Sequence, residues 1–119
     1  METRTKDLLT EEMLARFDER APLYDRENRF FAEDFDELKR TGYLLATVPT
    51  EFGGAGLGLD EYSKLQRRLA YVAPATALAI NMHCYWTGVA ADLLRAGAGF
   101  SSFRRATETP MNIIFEAKV

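Results

Sequence analysis

Few residues in this chain are of types that catalyse. There is one histidine, His83, followed directly by the single cysteine, Cys84, and a carboxylate, Glu51, stands at the head of a glycine-rich run. A histidine acting as general base needs a partner within hydrogen-bond reach, and no spacing in the sequence supplies one. His83 therefore reads as a structural residue on a buried helix. As a metal ligand it would need companions, and Cys84 would lie on a different helix face. Cys84 reads as a small buried hydrophobe, as free cysteines usually are. No two carboxylates are placed as an acid/base pair. Asp92 and Arg95, spaced i, i+3, read as a surface ion pair. The sequence assigns no catalytic residue and no metal ligand.

The strongest local pattern is residues 47–62, TVPTEFGGAGLGLDEY, with Gly53, Gly54, Gly56 and Gly58 inside six positions. A phosphate loop needs Gly-x4-Gly-Lys-Ser/Thr, because the lysine reaches the phosphates, and no lysine follows here. A dinucleotide fingerprint needs Gly-x-Gly-x-x-Gly, and the spacing fails. What remains is a tight corner between elements. Pro49, Phe52, Leu57 and Leu59 are not linker chemistry. They are expected to anchor the corner, with glycines where the backbone needs positive φ or lies flat against a neighbour. Glu51 is expected to satisfy backbone N–H groups at this corner, not to act as a base.

The elements around the corner are helical. Thr10 is expected to cap a helix with Glu11 and Glu12 in its first turn. Met13, Phe17 and Ala21 then share a face, Pro22 is placed to kink or restart the helix, and LYDRENRF reads as its solvated continuation. Phe31, Phe35 and Leu38 form an apolar stripe among Glu33, Asp34, Asp36, Glu37, Lys39 and Arg40, closed by Gly42 as a left-handed cap. YLLATVP is a strand or a buried turn. Asp60 is expected to cap a third helix with Tyr62, Leu65, Leu69 and Val72 inward. Pro74 opens a fourth, running to about Ala96 with Gly97 at its end. Leu78, Met82, Tyr85, Val89 and Leu93 lie on one side of it, and Ile80, Cys84 and Ala91 on another. A helix apolar almost all round belongs inside a larger structure. The tail, GFSSFRRATETPMNIIFEAKV, shows no helical period. MNIIFEAKV could pair as a strand, but no partner is evident.

With 119 residues, 47% hydrophobic and 28% charged, the chain suits one soluble domain with a real core. A formal charge of -3 and unclustered Lys and Arg leave no footprint for nucleic acid. One cysteine excludes an intrachain disulfide. The N-terminus lacks the apolar core of a secretory signal, and Asn81, His83 and Asp92 interrupt the longest apolar region, arguing against a membrane span. These features point to a cytoplasmic protein.

The order of these parts is similar to one known family. LKRTGYLLATVPTEFGGAGLGLDEYSKLQRRLA resembles the N-terminal helical domain of the acyl-CoA dehydrogenases. There a helix ends at glycine (here Gly42) and an apolar run leads to Val-Pro-x-Glu-Phe-Gly-Gly (here Val48 to Gly54). A helix with Tyr62 and a small-residue helix over 73–97 follow, and Ala21-Pro22-Leu23 matches a kink in the family's first helix. The resemblance covers about residues 7 to 97 and implies an all-α N-terminal domain (1–97) followed by a divergent, irregular tail (98–119). It implies FAD-dependent α,β-dehydrogenation of acyl-CoA thioesters in a homo-oligomer. The catalytic carboxylate and most of the FAD site would lie in a middle β-domain and a C-terminal bundle that this sequence does not contain. The chain is thus expected to be a fragment, inactive and unable to bind FAD tightly alone. Met82, Tyr85 and Trp86 would line the acyl cavity, with plain core packing as the alternative, and Gly53, Gly54 and Gly56 would lie near the substrate. Two competing readings are a flavin-dependent monooxygenase of the same fold and a non-catalytic helical assembly module.

Overall fold

The computed structural model describes residues 2–97, 102–108 and 113–118, with side chains over 5–97. Five helices come first: α1 (Glu2–Leu8), α2 (Glu11–Glu27), α3 (Ala32–Thr41), α4 (Leu59–Val72) and α5 (Pro74–Arg95). Two short 3-10 turns, Tyr43–Leu45 and Thr50–Phe52, fill the connection between α3 and α4.

Local chemistry explains most of the boundaries. Thr10 caps α2, its Oγ1 accepting the Met13 N–H at 3.2 Å. α2 continues as one helix past Pro22 to Glu27 and ends at Asn28 in the left-handed region, φ 48°. The stretch 23–30, expected to be a solvated continuation of the helix, is helical as far as Glu27 but buries Tyr24. α3 ends at Gly42, φ 83°, whose N–H returns to the carbonyls of Leu38 and Lys39; this is the left-handed cap that glycine adopts without a Cβ penalty. YLLATVP proves to be a buried turn, with Tyr43, Ala46 and Val48 wholly enclosed. α4 is capped not by Asp60 but by Gly58, which makes no side-chain hydrogen bond. Asp60 and Glu61 sit inside the first turn, where they still favour the helix dipole. Pro74 opens α5 at its first position, and Gly97 follows its end with φ 75°.

The core gathers Leu9, Phe17, Leu38, Tyr43, Leu57 and Leu69, drawn from the α1–α2 junction, α2, α3, the corner and α4. Tyr62, Leu65 and Leu69 form the inner stripe of α4, with Val72 only partly covered. α5 offers this core Ala77, Ile80 and Cys84, and its other buried positions are Thr76, Thr87 and Ala91. These fall on one edge with helical spacing.

Beyond the all-α domain, in the segment expected to be irregular, Ser102–Glu108 (β1) and Ile113–Lys118 (β2) pair antiparallel. Ser102 lies opposite Lys118 and Glu108 opposite Ile113, with a register shift between Arg105 and Thr107. The strand expected near the end of the chain thus has a partner. SFRRATE hid it because too few of its residues are apolar to show the two-residue alternation.

Candidate functional site

The glycine corner is closed on itself. The N–H groups of Phe52 and Gly54 donate to Pro49 O, that of Gly53 to Thr50 O, Ala55 to Leu45 O, Gly56 to Val48 O and Leu57 to Ala46 O, all at 2.8–3.2 Å. An anion cradle needs amides that are free to point at the ligand, and these six are spent. Three of the four glycines have a backbone reason. A Cβ at Gly54 would lie 2.1 Å from Val48 O, and Gly53 and Gly56 hold φ of 88° and 67°. Of the four expected anchors, Pro49 and Leu57 are buried, whereas Phe52 and Leu59 are exposed. Glu51 is exposed too, and its carboxylate accepts from the Thr50 hydroxyl at 3.3 Å.

α5 hangs on this corner by polar contacts. His83 Nε2 lies 2.9 Å from Leu44 O; a carbonyl only accepts, so that nitrogen carries the proton. Thr47 Oγ1 donates to Cys84 O at 3.0 Å and pairs with Thr87 Oγ1 at 2.6 Å. From α4, the Tyr62 hydroxyl donates to Asn81 Oδ1 at 3.2 Å and Gln66 Nε2 to Ala77 O at 2.7 Å. His83 is thereby a structural residue. Burial pushes the Cys84 thiol up to about 12, away from thiolate chemistry.

The other side of α5 is largely exposed. Leu78, Met82, Tyr85, Trp86 and Leu93 are 78%, 60%, 52%, 59% and 44% exposed, a run of large apolar side chains that a closed domain would bury. Tyr85 and Trp86 meet edge to face, ring centres 5.3 Å apart. Between α4 and α5 lies a cleft of about 510 Å³ whose floor includes Leu57, Tyr62, Cys84 and Val89. Tyr85 reaches this cleft, while Met82 and Trp86 stay on the outer face and are absent from its lining. Gly53 and Gly54 line a separate groove of about 430 Å³ with Thr41, Leu45 and Thr50. The structure therefore unites Met82, Tyr85 and Trp86 on one helix surface; Gly53, Gly54 and Gly56 are absent from the cleft's lining, whereas Gly58 belongs to it. Asp92 and Arg95 form the expected surface pair at 3.0 Å.

One cluster escaped sequence reasoning. Asp34 and Glu37, charged positions between the apolar residues of α3, are buried. Arg20 Nη1 donates to Asp34 Oδ1 at 2.8 Å, and Arg20 Nη2 also binds Glu37, which Arg16 holds from its other oxygen. Tyr24 donates to Glu33 at 2.8 Å and approaches Asp34 at 3.3 Å, and Thr76 donates to Asp34 Oδ2 at 3.0 Å. Burial raises the Asp34 carboxyl above its ordinary range, against the hydrogen bond from Thr76 and the charge of Arg20. Burial also pushes Glu37 upward, but its bonds from Arg16 and Arg20 outweigh that and hold it low. The signal was present: arginines at i, i+4 on α2 face carboxylates at i, i+3 on α3. Among the described residues no three His, Cys, Asp or Glu are placed to hold a metal ion, and no helix is long and apolar enough to cross a membrane.

Comparison with known proteins gives the same outline. A family described as acyl-CoA dehydrogenase, N-terminal domain, matches residues 2–99. YdbM of Bacillus subtilis (strain 168), a protein carrying the provisional name acyl-CoA dehydrogenase, is 36% identical over 67 residues. Those residues are 56% of this chain and 18% of that protein, so the match spans under a fifth of the relative's length. No solved structure matches the chain.

Proposed function

The chain belongs to the acyl-CoA dehydrogenase family, as an N-terminal domain, and from that premise we propose that it walls the substrate chamber of an FAD-dependent oxidoreductase. The reaction class is α,β-dehydrogenation of acyl-CoA thioesters. The observation that carries this reading is the outer face of α5. Met82, Tyr85 and Trp86 stand more than half exposed on a helix whose opposite edge is tied down by Thr76, His83 and Thr87. An acyl chain needs apolar walls on a rigid element, and this face is such a wall. The role of these three residues is to bind the chain and exclude water.

The glycine corner does not fit the pyrophosphate of FAD, because six of its amides are already bonded to backbone carbonyls. No chemical step through a flavin is assigned to this chain. Its contribution is surface, and the chain alone is expected neither to turn over substrate nor to hold FAD tightly.

The single tryptophan, Trp86, makes the reading testable, since it lies on the proposed wall. Titration with acyl-CoA thioesters of increasing length should change its emission saturably, more so for longer chains, while FAD shows no sub-micromolar binding. Emission unresponsive to every chain length, or tight FAD binding, would overturn it.

A further inference from the structure

α5 lacks an N-terminal cap of its own. Its N-cap residue, Ala73, makes no side-chain hydrogen bond, and no acid falls in its first turn. Helix starts ordinarily carry such a residue, because the first amides are unpaired and the dipole favours negative charge there. Pro74 removes one donor from that set. What stands at this end is Asp34 of α3. Its carboxylate is wholly buried, accepts the Thr76 hydroxyl at 3.0 Å in the first turn of α5, and is held on its other oxygen by Arg20 and Tyr24 of α2.

We infer that Asp34 is a positioning residue, an anchor for the N-terminal end of α5 supplied from α3 in place of a local cap. Through it the charge cluster between α2 and α3 sets the direction in which the apolar face of α5 is presented. Among the described residues, α5 is held by Thr76 to Asp34, by Gln66 and Tyr62 of α4 to Ala77 O and Asn81, by His83 to Leu44 O and by Thr87 to Thr47. Of these named hydrogen bonds, the one to Asp34 ends on a carboxylate and leads on to Arg20 and Tyr24 of α2. Leu78 and Met82 follow it within two turns on the outer face. The inference concerns the fold of this chain and stands whatever ligand the outer face meets.

Amide hydrogen exchange on the whole chain tests it. The amides of residues 78–81 bond to first-turn carbonyls of α5 and report whether that end is held. In Thr76→Val their exchange should rise on the order of tenfold, while amides in α2 and α3 keep their wild-type rates. Thr76→Ser, which retains the hydroxyl, should restore protection and serves as the readout if Thr76→Val does not fold. Unchanged exchange at 78–81 in Thr76→Val, a uniform rise across all helices, or unprotected 78–81 amides in Thr76→Ser would each refute the anchor.

Discussion

Asp34 on α3 and Thr76 on α5, 42 positions apart in sequence, meet at 3.0 Å in the dry interior. The carboxylate is wholly buried, and a buried charge persists only when it is paired and hydrogen-bonded. Arg20 is the cation that satisfies it.

Arg20→Ala should therefore be among the most damaging substitutions in the chain. It leaves Asp34 buried without its cation and Glu37 with Arg16 alone, and should cost about 3 kcal/mol or more. Urea unfolding measures this. A loss near that of an ordinary exposed arginine would mean the pair is solvated.

The cluster also predicts a pH signature with two limbs of known sign. The Tyr24 hydroxyl is raised from 10.0 to about 12 by burial and its bond to Glu33. A raised folded value means the stabilisation is complete below pH 10 and fades as pH climbs towards 12. Tyr43 and Tyr62, also raised by burial, share this limb, so Tyr24→Phe should flatten it in part. On the acid side Glu37 is held below 4.5, and its contribution is present above that pH and lost as pH falls. Asp34 is raised above 3.8 and acts with the opposite sign, favouring the fold at low pH and less so as it ionises. Glu37→Gln should flatten acid unfolding, and Asp34→Asn should steepen it. Thermal melts across pH decide both.

The glycines of the corner should separate sharply on substitution. Gly54→Ala drives a methyl to 2.1 Å from Val48 O, against backbone that cannot yield cheaply, and should cost about 3 kcal/mol. Gly58 has φ −82° and open space around its Cβ position. Gly58→Ala should stay within about 0.5 kcal/mol of wild type, the chain-entropy gain offset by the poorer N-cap that alanine makes. The denaturant midpoint should fall clearly for Gly54→Ala and hold near the wild-type value for Gly58→Ala.

The two sides of α5 should respond differently to truncation. Ile80→Ala empties a core position and should cost about 2–4 kcal/mol. Trp86→Ala and Met82→Ala touch the exposed face and should stay within about 0.5 kcal/mol, while lowering the binding of an apolar dye. Equal losses on both sides would mean that α5 is covered all round.

Sequence alone determined the elements whose causes are local. Thr10 as a cap, Gly42 in the left-handed region and Pro74 at the first position of a helix each depend on residues within one turn, so spacing was enough to read them. The motif from Val48 to Gly54 was equally legible, and so was the family it belongs to. Tertiary structure alone decided what depends on distant partners. Asp34 and Glu37 are charged positions on an amphipathic helix, and charges usually are solvated. Their burial required Arg16 and Arg20 from α2 and Thr76 from α5. The same holds for Tyr85, which reaches the α4–α5 cleft while Met82 and Trp86 do not, and for β1, whose polar strand shows itself only beside β2. A periodic pattern tells which residues share a face. The packing of helices far apart in sequence decides whether that face meets water, a charge or another helix.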